Sequence, residues 1–305
     1  MSRIVHRLWA TAPLLLVLAT LFWSLNFVLG RAVIELIPPI ALSFWRWTIA
    51  FLIVLGFARP HLKRGDLATL RTQWKLVAAL GFLGVATFNA LVYYGLHTTT
   101  VTNAVLLQST MPVLIALGSF LIFREPLRLL ALLAVAVSLT GVAVIVARGD
   151  WSVLRTLSVA PGDAWIMLAV IFYALYSVLL RRRPAVHPLS FLAGTFAFGS
   201  LMLLPVYLWE HVTVAVIQWD LPTLAAIAYV GIFPSLLAYL CFNRAVELIG
   251  ANRAGQFVHL MPVFGSALAA LFLGERLQGF HLVGAMLIAA GIALAQFRAR
   301  PRSVG

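Results

Sequence analysis

Charged residues, carboxylates and cysteines are scarce in this chain. Of its 305 residues, 10% are charged, nine are Asp or Glu and one is cysteine, whereas 63% are hydrophobic and the mean hydropathy is +1.02. The single cysteine, Cys241, excludes an intrachain disulfide and a zinc site built from several cysteines. So few charges exclude a soluble globular domain. We therefore expect an all-α integral membrane protein that is embedded in the lipid bilayer.

The formal net charge of +13 does not indicate a nucleic-acid partner. The basic residues occur in short clusters between long apolar runs, where they can contact water and anionic headgroups. An HExxH motif, paired intramembrane carboxylates and a Ser/His/Asp set are all missing from the sequence. We expect no catalysis, metal or cofactor, and a membrane-embedded enzyme is a minor alternative.

Ten apolar segments have the length needed to cross a bilayer, whose core of about 30 Å takes roughly 20 residues. The first follows a basic start, MSRIVHR, but is too long for a signal peptide and has no small-x-small cleavage site, so it is expected to stay uncleaved. The predicted segments are Leu14–Ile34, Pro39–Ala58, Leu76–Leu96, Thr102–Phe123, Leu129–Val146, Asp163–Leu180, Pro188–Leu208, Pro222–Phe242, Ala254–Leu273 and Gly279–Phe297.

The distribution of Lys and Arg predicts the orientation of these segments. With the N-terminus in the cytoplasm, the far side receives Arg31, Arg148, Arg155 and Arg276, and Arg46 falls inside the second segment. The other 17 of the 22 basic residues then lie on the cytoplasmic side. This asymmetry follows the positive-inside rule and predicts that both termini are cytoplasmic.

One stretch of sequence occurs twice. MPVLIALGSFLIFREPL at Met111 to Leu127 returns as MPVFGSALAALFLGERL at Met261 to Leu277, an offset of 150 residues. The same offset pairs Arg31 with Arg181, Pro38 with Pro188, Gly81 with Gly231, Ala104 with Ala254, Gly141 with Gly291 and Arg148 with Arg298. We divide the chain into repeats at 1–150 and 151–305. Because five segments per repeat is an odd number, the second repeat is predicted to be inverted in the membrane.

Several motifs resemble a known family. They are Phe22-Trp23-Ser24-x-Asn26-Phe27, the run from Asn103-Ala104 to Met111-Pro112, Arg124-Glu125-Pro126-Leu127, Gly274-Glu275-Arg276-Leu277, and the glycines Gly141 and Gly291. In this order the chain resembles the ten-helix, EamA-type branch of the drug/metabolite transporter superfamily, and within it the aromatic amino acid exporters. The resemblance covers nearly the whole chain. It implies a small-molecule carrier with a central cavity in the bacterial inner membrane.

Polar and aromatic side chains inside the apolar segments are the candidate substrate contacts, because polar groups are costly in hydrocarbon unless they face an interior or water. Arg46 either holds a substrate carboxylate or reaches the headgroups, and His259 either packs or lines the path. The candidates are Trp23, Asn26, Arg46, Asn89, Tyr93, Tyr94, Asn103, Gln108, Trp165, Tyr173, Tyr176, Tyr239, Asn243, Gln256 and His259.

Pro112 and Pro262 occupy equivalent positions, and each is expected to kink its helix and serve as a gate. Glu125 and Glu275 are expected to be structural, capping a helix or pairing with an arginine. No carboxylate falls in mid-membrane, so there is no obvious proton relay.

Facilitated export of a small zwitterion, most simply an amino acid, by alternating access is the resulting prediction. Broad-spectrum drug efflux by proton antiport is the main alternative, and a non-transporting scaffold is a third. The sequence leaves the oligomeric state open.

Overall fold

The computed structural model describes residues 9–33, 37–150, 152–155, 159–273 and 276–296, and the regular elements in these ranges are all helices. The prediction of an all-helical protein is thus confirmed. Apart from one short turn, Ser152–Arg155, the helices are α1 (Ala12–Val33), α2 (Pro39–Thr72), α3 (Trp74–Leu96), α4 (Val101–Gln108 and Met111–Phe123), α5 (Leu129–Val146), α6 (Pro161–Leu179), α7 (Pro188–Thr213), α8 (Leu221–Ile249), α9 (Ala251–Gly255, Gln256–His259 and Leu260–Leu273) and α10 (Gly279–Gln296).

Within the described residues, 8 helices are long and apolar enough to cross a membrane, and a shorter apolar helix covers Ala12–Asn26. The exact number of ten spans stays a prediction. Several helices extend beyond their predicted ends: α2 continues to Thr72 across a kink at Gly65, whose φ is 121°, α7 continues to Thr213 and α8 to Ile249. Hydropathy measures only the apolar length of a helix, and each extension contains charged residues, so the pattern could not report them.

Helix packing follows the repeat. The most extensive contacts join α5 to α10 and α2 to α7, and each of these pairs consists of equivalent helices from the two repeats. The α3–α6 contact has its counterpart in α8–α1, and the α4–α6 contact in α9–α1. The two halves are therefore interleaved through matching interfaces, and neither half forms a separate bundle.

Equivalent glycines bring α5 and α10 together. A Cβ on Gly141 would lie 2.6 Å from the carbonyl oxygen of Gly284, and a Cβ on Gly291 would lie 2.7 Å from that of Ala134 and 2.0 Å from the Ser138 hydroxyl. Ala134 and Gly284 are themselves equivalent positions. Small residues thus let the two backbones touch, as is common between membrane helices.

Each repeat also interrupts its helices at equivalent places. A π-type turn occurs at Phe82–Ala86 in α3 and at Gly231–Leu237 in α8. Likewise α4 breaks before Met111, and α9 passes through a 3₁₀ turn before Leu260. The second pair of breaks falls one turn ahead of Pro112 and Pro262, where proline removes a hydrogen bond to the preceding turn. The structure thus shows the two predicted irregularities, and their role in gating stays a prediction.

Buried and paired carboxylates fix the helix ends. Glu210, 3% exposed in the last turn of α7, accepts hydrogen bonds from the backbone N–H groups of Ile40 (3.0 Å) and Ala41 (2.7 Å) at the start of α2. These are orphan donors of a helix N-terminus, which favours a negative charge. Glu125 pairs with Arg181 and also accepts from Asn252, as expected for a structural role. Glu275 lies outside the described residues.

Candidate functional site

A cavity lies where the two repeats meet. It contains about 460 Å³ of space free of atoms, counting its opening, and α1, α3, α4, α6, α8 and α9 contribute to its wall. The lining residues are Trp23, Asn26, Phe88, Asn89, Val92, Gln108, Met111, Tyr173, Tyr239, Val258 and Met261. A mostly apolar wall with a few polar groups is typical of a small-molecule site.

Most of the wall consists of positions that are equivalent in the two repeats, namely Trp23 and Tyr173, Asn89 and Tyr239, Gln108 and Val258, and Met111 and Met261. The indole of Trp23 and the ring of Tyr173 meet edge to face, with centroids 5.8 Å apart. The cavity therefore lies between equivalent positions of the two repeats. All three amides of the wall, those of Asn26, Asn89 and Gln108, come from the first repeat and form its amide side, although that repeat also supplies Trp23 and Phe88.

Behind the amide side lies a buried cation. Arg46 is 1% exposed, and its Nε donates to the Ser235 hydroxyl at 2.8 Å. One guanidinium nitrogen donates both to Asn89 Oδ1 at 2.9 Å and to the Tyr93 hydroxyl at 2.7 Å. Tyr93 in turn donates to Asn26 Oδ1 at 3.1 Å. Of the two readings of Arg46 given by the sequence, the structure excludes the one in which it reaches the headgroups.

The aromatic side of the wall contains Trp23, Phe88, Tyr173 and Tyr239. The Tyr173 ring lies 6.0 Å from that of Tyr239 and 5.7 Å from that of Phe242, with Tyr176 adjacent at 5.3 Å. Edge-to-face and tilted pairs of this kind add about 0.5–1.5 kcal/mol each beyond their burial. The resulting surface is rigid and suits an apolar or aromatic group.

The aromatic donors also complete the π-type turns. Tyr239 donates to the carbonyl oxygen of Gly84 in α3, and the Trp23 indole donates to that of Pro234 in α8 at 3.1 Å. Gly84 and Pro234 are equivalent positions. A carbonyl that loses its helical hydrogen bond at such a turn needs another donor in an apolar interior. Tyr239 and Trp23 therefore stabilise the two π-type turns and also line the cavity.

Two further contacts follow the repeat. Tyr176 donates to Asn243 Oδ1 at 2.9 Å, at the positions equivalent to Asn26 and Tyr93, with the residue types exchanged. His259 Nε2 lies 2.8 Å from the carbonyl oxygen of its own equivalent, Ser109. A carbonyl accepts only, so Nε2 carries the proton.

Nine of the predicted contacts are not among the lining residues of the cavity. Arg46, Tyr93, Tyr176, Asn243, Gln256 and His259 are buried around it. Asn103 binds Asp163 at the start of α6, at 2.9 Å from its amide nitrogen. Tyr94 and Trp165, respectively 52% and 41% exposed, form an edge-to-face pair.

Sequence reasoning did not select the apolar part of the lining. Phe88, Val92, Met111, Val258 and Met261 look like any other residue of an apolar helix, and only their folded position puts them on the wall. The repeat carries one signal for two of these residues, since Met111 precedes Pro112 as Met261 precedes Pro262. No group of three or more His, Cys, Asp or Glu that could hold a metal occurs in the part of the chain that the structure describes.

The chain belongs to the EamA-like transporter family, whose model matches residues 10–147 and 160–297. It is 28% identical over 280 residues to the uncharacterized transporter YyaM of Bacillus subtilis, covering 90% of each chain. It is also 28% identical over 304 residues to a probable amino-acid metabolite efflux pump of Salmonella typhimurium, covering 94% of this chain and 95% of the relative.

A solved crystal structure shares the fold, with a TM-score of 0.77 at 22% identity over 94% of this chain and 96% of its own. The prediction of a multi-pass membrane transporter is confirmed by the family and by the apolar helices. Its membrane, its substrate and its mechanism belong to the proposal that follows.

Proposed function

We propose that this protein exports small amphipathic metabolites, most simply neutral or aromatic amino acids, through the cavity between its repeats. The observation that carries the proposal is the division of the cavity wall into an amide side and an aromatic side. An amino acid with an apolar side chain has the matching division. The similarity to a probable amino-acid metabolite efflux pump supports the same substrate class.

Alternating access is the mechanism that we propose for this movement. Two inverted repeats, at 1–150 and 151–305, can open the cavity to either side by exchanging their conformations. The matched pairing of α5 with α10 and of α2 with α7 supports this symmetry. With 17 basic residues on one side, we place both termini in the cytoplasm and the protein in the inner membrane.

Transport down the concentration gradient is the simplest driving force. The described carboxylates near the spans serve at helix ends: Glu210 binds the start of α2, and Asp163 binds Thr99 and Asn103. No carboxylate of the described residues lines the cavity. A proton-coupled antiporter would need a titratable group exposed alternately to the two sides.

Transport by purified protein in proteoliposomes tests the proposal. We expect radiolabelled phenylalanine to enter without an imposed pH gradient and to show counterflow against unlabelled phenylalanine. Liposomes carrying the Asn26→Ala/Asn89→Ala variant, which alters the amide side, should show at least tenfold lower flux. If a lipophilic cation moves instead, and its movement collapses with the pH gradient, the protein is a drug antiporter and the proposal is wrong.

A further inference from the structure

We infer that the cavity selects a carboxylate, which binds to the amide nitrogens of Asn26 and Asn89 and is attracted by the Arg46 charge behind them. The inference rests on the proposed function and specifies which end of the substrate contacts which repeat. It assigns Arg46 and Tyr93 a positioning role, since neither is among the residues that line the cavity.

The direction of the hydrogen bonds carries the first step. Arginine only donates, so its bond to Asn89 must use the amide oxygen, which leaves the Asn89 Nδ2 group as the free end. The Tyr93 hydroxyl accepts a hydrogen bond from Arg46 and donates one to Asn26 Oδ1. Asn26 therefore also has its Nδ2 group free to face the cavity. Neither nitrogen has another partner among the described residues, and both side chains line the cavity.

Gln108 extends this donor surface. It lies on the same wall, is 4% exposed, and its Nε2 is buried without a hydrogen-bond partner in the described structure. An unpaired buried donor is costly, so the Gln108 amide favours a ligand that brings an acceptor to this wall. A carboxylate has two oxygens and about four acceptor sites, which is enough for all three amides.

The charge of Arg46 carries the second step. None of the ion pairs formed between described residues includes it, and it is held by neutral groups and by the rings of Trp47 and Tyr93, whose centroids lie 4.9 and 6.0 Å from Cζ. An unpaired cation in an apolar interior attracts an anion and repels a second cation.

The asymmetry of the repeats gives the third step. The position equivalent to Arg46 is Phe196, which is fully buried and packs on Trp47 and Tyr239. The position equivalent to Asn89 is Tyr239, and that equivalent to Gln108 is Val258. These three polar or charged positions of the first repeat are thus apolar or aromatic in the second, which directs a carboxylate toward the first repeat.

Four compounds that share one phenyl group and differ in charge test the inference on the unaltered protein. They are phenylalanine, 3-phenylpropionate, 3-phenylpropionamide and phenethylamine, and their binding is followed through the fluorescence of the protein in detergent. We expect 3-phenylpropionate to bind roughly 10- to 100-fold more tightly than its neutral amide, because its hydrogen bonds are charge-assisted. We expect no binding of phenethylamine. Equal affinity for acid and amide, preference for the amine, or binding of none of the four would overturn the inference.

A pair of variants locates the effect. Asn89→Asp places a carboxylate against Arg46 and removes a donor, so it should abolish binding of 3-phenylpropionate and permit binding of phenethylamine. Asn243→Asp adds the same charge at another buried asparagine that does not contact Arg46, and it should keep the original preference. An equal loss of 3-phenylpropionate binding in both variants would refute the role of Arg46. If either variant fails to fold, the four compounds tested on the unaltered protein still decide the inference.

The outcomes separate this inference from the proposed function. In one outcome, proteoliposomes transport phenylalanine, and 3-phenylpropionamide inhibits this flux as strongly as 3-phenylpropionate does. This result would support the proposed exporter and refute the carboxylate site. Tight, charge-dependent binding of 3-phenylpropionate without any phenylalanine flux would support the carboxylate site and refute the proposed export of amino acids.

Discussion

His259 lies against Ser109, the residue that occupies the same position in the other repeat, with 2.8 Å between its Nε2 and the Ser109 carbonyl oxygen. The two equivalent positions therefore face each other, beside the helix breaks of α4 and α9. His259 is fully buried, and its Nδ1 has no partner in the described structure. The contact satisfies a backbone carbonyl and favours a packing role for this histidine, which stays a prediction.

We predict from this contact that His259→Gln, which keeps a donor for Ser109, retains phenylalanine flux and its indifference to a pH gradient. His259→Leu leaves the carbonyl unpaired and should lower stability by about 1–3 kcal/mol. Thermal unfolding in detergent measures the difference. A proton-driven flux in the wild type that His259→Gln eliminates would contradict the packing role.

Substituting the glycine at the α5–α10 contact should destabilise the protein. The Gly291→Ala methyl would lie 2.7 Å from the Ala134 carbonyl oxygen, so the backbones must separate, at a cost of about 1–3 kcal/mol. Gly265→Ala is the matched control, because nothing lies within 4 Å of its Cβ and alanine favours a helix by up to about 1 kcal/mol. Thermal unfolding of both variants should shift in opposite directions, and a harmless Gly291→Ala would show that the helices are not in close contact.

The proline at the break in α9 should affect the rate of transport more than the affinity. Pro262→Ala restores a backbone donor and favours a straighter helix, so we expect severalfold slower counterflow with unchanged phenylalanine binding. Pro205→Ala, in the interior of α7, serves as the control and should leave the rate unchanged. A Pro262→Ala protein with normal turnover would refute the gating role.

The ion pair between Glu125 and Arg181 should bias the conformational equilibrium. It joins the end of α4 to the end of α6, and both side chains are partly exposed, so its contribution is at most about 1 kcal/mol, equivalent to a fivefold change in an equilibrium. Glu125→Arg should slow counterflow to about that extent, and Glu125→Arg combined with Arg181→Glu should restore it. A double variant as slow as the single one would show that the pair is incidental.

Stability should decrease in mild acid because of His187. Its Nδ1 accepts a hydrogen bond from the Leu189 N–H at the start of α7, 3.3 Å away, and protonation would remove this cap. Burial, with the neighbouring His61, lowers the pKa of His187, although Asp66 acts in the opposite direction. The unfolded chain thus binds the proton more readily, and stability is lost as the pH falls below about 6.5.

Asn in place of His187 keeps a cap that does not titrate. Unfolding temperatures of His187→Asn and of the wild type should therefore be similar near neutral pH and separate in acid, where only the wild type loses its cap. Parallel curves would show that another group is responsible.

Much of the architecture could be predicted because polar groups are costly in lipid, so a segment that crosses the membrane must be a long apolar run. The apolar segments gave the helices, and the offset that joins Met111 to Met261 gave the repeat. Trp23, Asn26, Asn89, Gln108, Tyr173 and Tyr239 were selected as polar or aromatic residues in apolar helices, and all six line the cavity.

Residue type alone could not separate the wall of the cavity from its supports. In the sequence, Arg46, Tyr93 and Asn89 are alike as polar residues of apolar helices. In the structure only Asn89 lines the cavity, whereas Arg46 and Tyr93 are buried beside it and Tyr94 is exposed. The apolar members, such as Val92, carry no signal at all. Helix rotation decides each of these cases, and rotation is set by contacts with neighbouring helices.

The sequence by itself determined the helical membrane fold, the repeat and the family, because these follow from composition, segment length and an offset within one chain. Only the tertiary structure decided that Ser109 meets His259 and that α5 packs on α10 at Gly141 and Gly291. It also decided that Arg46 bonds to neutral groups and, among the described residues, pairs with no carboxylate. Such relationships join residues that are distant in the chain, and the packing of side chains, which no local pattern encodes, brings them together.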